Sequence, residues 1–225
     1  DLRPACPSRS DYVTTGSLGT LAIALAIFIG VHMVPVVPGL RAALIGALGK
    51  RAYRALFSVI SVAGIVWIVF AHMDAPYILL WDDPGWHRLI PLAVMPLVLI
   101  LLAGQTSKGM QKVTRHPMMW AVFLWAAAHL IANGDTASVM LFGAMIVFSL
   151  IDQPLADART RREKPEAWAE TSAETSAIPF LAALQGRAKP SLKEIGYVRV
   201  AAALVIYLVV LFAHEHVIGL SALPL

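Results

Sequence analysis

The chain has 225 residues, of which 58% are hydrophobic and only 14% charged, with a formal net charge of +4 and a mean hydropathy of +0.71. A water-soluble domain is about half apolar and a quarter charged, so the composition excludes an ordinary soluble domain and makes the lipid bilayer the expected partner. The basic residues gather in particular connections, which is the pattern of membrane insertion and not of a nucleic-acid-binding face, so no nucleic-acid partner is expected.

Residues 1–17 read as a polar N-terminal tail, and the apolar run after them lacks the basic lead-in and cleavage pattern of a signal peptide. Cys6 is the sole cysteine, which excludes an intrachain disulfide or a thiolate metal cluster. The apolar runs then predict spans over about 18–37, 53–73, 89–104, 117–133, 136–152 and 197–214. The expected fold is all-α: one polytopic integral membrane helix bundle, residues 18–225, with about six transmembrane helices.

Charge in the connections supports that count. The first connection carries Arg41, Lys50, Arg51 and Arg54, the second Asp74, Asp82 and Asp83 against Arg88, and the third Lys108, Lys112 and Arg115. The fourth has Asp135 alone, and the fifth, over 153–196, is long and mixed. Basic connections stay in the cytoplasm, so connections one, three and five are expected there and both termini outside it, with a bacterial inner membrane as the expected location. Asn133-Gly134-Asp135 reads as a tight turn tolerant of left-handed backbone. Pro165 starts a short helical pattern, and Ile178 to Leu184 reads as a surface-lying apolar patch.

Two histidines fall inside spans: His32, in Gly30-Val31-His32-Met33, and His129, in Ala126-Ala127-Ala128-His129. An ionisable group in hydrocarbon is costly and therefore a candidate for function, although each would also serve as a plain hydrogen bond between helices. A pair of neutral imidazoles in a bundle suits axial ligation of haem iron. The absence of a Cys-x-x-Cys-His run means that such a haem would lack thioether links. Thr114-Arg115-His116-Pro117 places a cation and an imidazole at a helix start, where proline is tolerated and an anion is favoured; a membrane-interface anchor is the alternative. His72, His87, His214 and His216 fall near Asp74, Asp82 and Asp83 on the expected outer side, as a loose metal set or as solvated interfacial residues.

The ordered set Gly30-Val31-His32, Gly49-Lys50-Arg51-Ala52-Tyr53-Arg54, Thr114-Arg115-His116-Pro117, Ala128-His129, Pro179-Phe180, Gly186-Arg187 and His214 to Gly219 resembles the NnrU family, the bacterial relatives of 15-cis-zeta-carotene isomerase. The resemblance runs from about residue 18 onward. It implies a polytopic membrane protein which, in the carotene isomerase branch, binds haem b and isomerises a cis double bond of a polyene, a hydrophobic small molecule. The family's iron-ligating histidines match His32 and His129, and Arg54, Arg115 or His116 would meet the haem propionates. A cysteine three residues before the second ligand in the plant enzyme is replaced here by Ala126. Two other functions stay open. One is a non-enzymatic haem or electron-transfer module, or an accessory subunit linked to nitrogen oxide metabolism. The other is S-adenosylmethionine binding at the Arg-His-Pro motif, which is similar to that of membrane methyltransferases but has Met119 where those enzymes carry a tyrosine.

Overall fold

A computed structural model describes residues 16–37, 39–82 and 85–223. Cys6, Asp83 and the polar stretch before Gly16 lie outside them. Regular structure among the described residues is helical. In chain order the α-helices are α1 (Leu18–Met33), α2 (Leu40–Leu48), α3 (Lys50–Met73), α4 (Leu89–Gly104), α5 (Lys108–Val113), α6 (Pro117–Ala132), α7 (Thr136–Glu163), α8 (Pro165–Glu174), α9 (Leu181–Leu184), α10 (Leu192–Ile195) and α11 (Tyr197–Ile218).

Among the described residues, five segments are long and apolar enough to cross a membrane: Leu18–Val36, Lys50–Met73, Trp86–Gly104, Thr136–Glu163 and Tyr197–Ile218. The remaining expected span, α6, is apolar but has 16 residues, about 24 Å of helix against a hydrocarbon core of about 30 Å. Large apolar side chains stand exposed along these helices, such as Val59 at 64% and Phe212 at 66%. Rows of that kind are stable against lipid and not against water. The fold is a helical membrane bundle.

The chain divides into two units. The first holds the described residues up to Asp82 together with Asn133–Ala144, and the second holds those up to Ala132 and from Met145 onward. In the first unit α1 packs on α3. Ser17 caps α1 by accepting from the Thr20 amide at 3.1 Å, and Gly64 lets the Phe28 ring approach, since a Cβ there would stand 3.0 Å from it. At the far end of α3 the chain folds back on the turn at 133–135. The amides of Leu80 and Trp81 donate to the Gly134 carbonyl at 2.7 and 3.2 Å. Asp135, 2% exposed, accepts from the Ser138 amide at 3.1 Å and its hydroxyl at 2.6 Å, capping α7. The turn expected at Asn133-Gly134-Asp135 joins α6 to α7, but Gly134 does not use the left-handed freedom the residue type allows, since it is not among the glycines with positive φ. Glycine is needed because a Cβ would meet the Trp81 carbonyl oxygen at 2.0 Å.

In the second unit α4 packs on α6 and α11, around a core of Val98, Leu101, Met110, Ala121 and Ile195. Pro96 lies inside α4. Lacking an amide hydrogen, it cannot bond the Leu92 carbonyl one turn back. The Tyr207 hydroxyl of α11 donates to that carbonyl at 3.1 Å, as a setting without water requires. The stretch 153–196 is largely folded: α7 runs on through Pro154 to Glu163, and α8, α9 and α10 follow. Gly109 allows α5 to cross α10, because a Cβ there would lie 2.5 Å from the Ile195 amide nitrogen.

Gly134→Ala is expected to destabilise the purified protein by about 1–3 kcal/mol through overpacking against rigid backbone, read as a lower melting temperature in detergent. Gly143→Ala, where a Cβ meets nothing within 4 Å, is the control and should hold or raise it, because alanine is the better helix former.

Candidate functional site

The first candidate group is built on His32, in the last turn of α1. Its Nδ1 lies 2.8 Å from the Phe28 carbonyl oxygen. A carbonyl only accepts, so Nδ1 carries the hydrogen, and in the neutral ring the lone pair is on Nε2. Phe28 lies against the imidazole with ring centroids 4.2 Å apart, and Phe57 of α3 meets it edge-on at 5.2 Å. Tyr53 continues the row, 6.3 Å from Phe57. Arg54, one of the groups expected to meet the haem propionates, is exposed on the second turn of α3.

His129 repeats the arrangement in the second unit. It stands in the last turn of α6, its Nδ1 donates to the Trp125 carbonyl at 2.8 Å, and the Trp125 ring lies 5.6 Å away. Here too the lone pair falls on Nε2. Ala126, three residues earlier, is fully buried.

The Arg-His-Pro motif is organised differently. The anion found at the start of α6 is the chain's own Asp157, from the part of α7 beyond the expected span. Arg115 Nη1 donates to Asp157 Oδ2 at 2.6 Å and His116 Nε2 to Oδ1 at 2.9 Å. Arg115 also donates through Nε to the Thr175 hydroxyl at 2.9 Å and through Nη2 to the Thr175 carbonyl at 3.1 Å, and its guanidinium lies 4.5 Å from the Trp168 ring. Backbone bonds stitch this motif to the segment after α8: Arg115 amide to Ser176 carbonyl and Phe180 amide to Val113 carbonyl, each 2.7 Å. The Trp120 indole and the Thr114 hydroxyl both donate to the Ala177 carbonyl, at 2.7 and 3.0 Å. Phe180 is held at φ 61°, the one non-glycine with positive φ among the described residues. Arg187 closes the group by donating to the carbonyls of Ser172 at 3.0 Å and Ala173 at 2.7 Å, at the C-terminal end of α8 where a cation is favoured.

Burial pulls the His116 pKa below the ordinary imidazole value, and the opposing pull of the Asp157 charge and hydrogen bond does not restore it. His116 is therefore neutral at pH 7 and donates to Asp157 through Nε2. Asp157, Trp168 and Thr175 are members that reading the sequence missed. The chain-local hint was a helix-compatible run after Pro154, without a breaker before Lys164.

On the expected outer side the histidines do not gather. His72 donates to Ser138 at 3.3 Å, His214 donates to the Leu220 carbonyl at 2.7 Å, and no group of three or more His, Cys, Asp or Glu suited to a metal ion occurs among the described residues.

A polytopic helical membrane protein carrying pinned histidines in two of its apolar helices is the class these observations define. The chain belongs to the NnrU family, whose sequence model, described as NnrU protein, matches residues 20–222. It is similar to the 15-cis-zeta-carotene isomerase, chloroplastic, of Arabidopsis thaliana, at 28% identity over 163 residues covering 62% of this chain and 44% of that protein. It is also similar to the protein of the same description from Zea mays, at 26% identity over 166 residues covering 63% of this chain and 44% of that one. The chain thus spans less than half the length of these relatives. No solved structure matches it.

Two outcomes check the Asp157 network. Asp157→Asn is expected to cost roughly 3 kcal/mol, because it leaves the mostly buried Arg115 without its counter-ion. The second concerns pH. Since the folded-state pKa of His116 is depressed, the unfolded chain takes up the proton first as the medium is acidified. The stability this residue contributes is complete above its unfolded pKa of about 6.5 and is lost as pH falls through the folded-state value. His116→Gln should therefore flatten the decline of melting temperature between about pH 7.5 and about pH 5; an equally steep decline in the variant would show that His116 does not set it.

Proposed function

We propose that this chain is a membrane haem b protein, with His32 and His129 as the iron ligands, that isomerises a cis double bond in a polyene dissolved in the bilayer. The observation that carries the reading is the state of the two imidazoles. Each is fixed by an Nδ1–H bond to the carbonyl four residues back, which in the neutral ring leaves the lone pair on Nε2 for a metal. A ring whose other nitrogen is bound to a backbone carbonyl is the arrangement that suits metal ligation, because the bond sets tautomer and orientation together. The donor set therefore fits haem. The relatives named for a carotene isomerase supply the substrate class, a long apolar polyene.

When bound, haem b would supply an iron able to withdraw electron density from a double bond and so lower the barrier to rotation about it. The remaining work falls to the chain. His32 and His129 hold the group, while Phe28, Phe57 and Trp125 give apolar aromatic walls beside the imidazoles. Such walls keep water from the ligands and favour a flat conjugated body over a polar one. With Ala126 three residues before His129, no thiol stands at that position, so ligation at this end is by imidazole.

Protein expressed with ample haem and purified in detergent is expected to show a Soret band, and His32→Ala and His129→Ala are each expected to lose most of the bound haem. Loss in one variant alone would assign the iron a single protein ligand. No Soret band in the wild type would reject the proposal, and a reduced form unmoved by carbon monoxide would favour electron transfer, since both axial positions would then stay closed.

A further inference from the structure

We propose that the Tyr53 hydroxyl is the hydrogen-bond donor for the carboxylate edge of the group ligated at His32, an inference that rests on the haem reading above. The Tyr53 hydroxyl oxygen is buried and has no hydrogen-bond partner among the described residues. A buried polar atom left so costs about 1–3 kcal/mol, and native proteins keep few of them, often at sites that receive another molecule.

Its surroundings say what that molecule would be. Lys50, Tyr53, Arg54 and Phe57 fall at spacings of three, four and seven along α3, which puts them on one face of the helix. Lys50 and Arg54 are exposed. Phe57 meets the His32 ring edge-on at 5.2 Å, and Tyr53 lies 6.3 Å from Phe57. The face thus runs from cations, through a phenol, to aromatic carbon and then an imidazole. It matches a ligand with an anionic edge and a flat apolar body. A phenol O–H donated to a carboxylate is a charge-assisted bond and short-ranged, so it would fix the edge of such a ligand while Lys50 and Arg54 act as diffuse countercharge.

The test uses the full chain, purified haem-free in detergent, as wild type and as Tyr53→Phe. Each is titrated with ferric protoporphyrin IX and with its dimethyl ester, which keeps the ring and iron but lacks the carboxylates. The expected result is about tenfold weaker binding of the acid form by the variant, equivalent to about 1.4 kcal/mol, with the ester bound equally by both proteins. The ligand-free variant should melt no lower than wild type, because it loses a hydroxyl that had no partner to abandon. Equal affinity for the acid form, or the same loss for both porphyrins, overturns the assignment, the latter by making Tyr53 a packing residue. Failure of the wild type to bind either porphyrin rejects the haem reading and this inference with it, whereas undiminished binding by His32→Ala removes His32 as a ligand and overturns this inference. Binding that His32→Ala abolishes and Tyr53→Phe leaves untouched rejects only the role of the hydroxyl.

Discussion

Hydrocarbon offers no hydrogen bonds, and that single constraint orders most of what this chain does. A backbone carbonyl freed inside a span must find a donor within the protein. The Leu92 carbonyl, left without its helix partner by Pro96, takes the Tyr207 hydroxyl. The same pressure acts on side chains. His32 and His129 each bring a polar N–H into an apolar helix, and each satisfies it on the carbonyl one turn back. A rule about saturating donors thereby selects the tautomer, and the tautomer selects which nitrogen can meet a metal. On the proposed haem reading, preparation of the ligand atom would follow from solvation of the helix that carries it.

The spans were legible because lipid-facing helices are written in composition, over stretches of about 20 residues, and no tertiary contact is needed to read them. Features made by approach of distant segments were not. The run 153–196 reads as a charged connection, since Asp157, Arg159, Arg161 and Arg162 end the hydropathy signal, yet α7 continues through them to Glu163. Charge ends a membrane span without ending a helix. The partner of Arg115 lies 42 residues along the chain, so the sequence showed the cation and concealed its anion. Gly134 was legible as part of a turn but not as a site of close approach: a glycine needed for close approach looks the same in sequence as one needed for a left-handed turn. Tyr53, inside a recognised motif, gave no sign of its unpartnered hydroxyl, because satisfaction of a polar atom is a property of its neighbours.

His32 and His129 were selected from sequence by the cost of placing imidazole in a span, and the geometry adds which ring nitrogen is tied to the backbone. Arg115 and His116 were selected by their place at a helix start. In their case the geometry adds a half-buried carboxylate that neutralises the guanidinium and accepts from the imidazole. The second group thus has the chemistry of a tie between α6, α7 and the segment after α8, closed upon itself by Thr175 and Trp168.

Charge neutralisation separates the two kinds of cation in this protein. A guanidinium already paired with a carboxylate and stacked on an indole has little field left for a ligand, because a second anion would have to compete with a fixed, partly desolvated partner. Lys50 and Arg54 are exposed near one end of a helix face whose other end is aromatic. An amphipathic ligand entering from the bilayer would meet the apolar part with its body and the cations with its charged edge, and each contact would favour the same orientation. Under the proposed function, orientation is what acting on one double bond of a long, nearly uniform polyene would require. Apolar contact alone is tolerant of sliding along such a chain, so on the proposed reading the register would come from a bound group held both at His32 and at the Tyr53 hydroxyl.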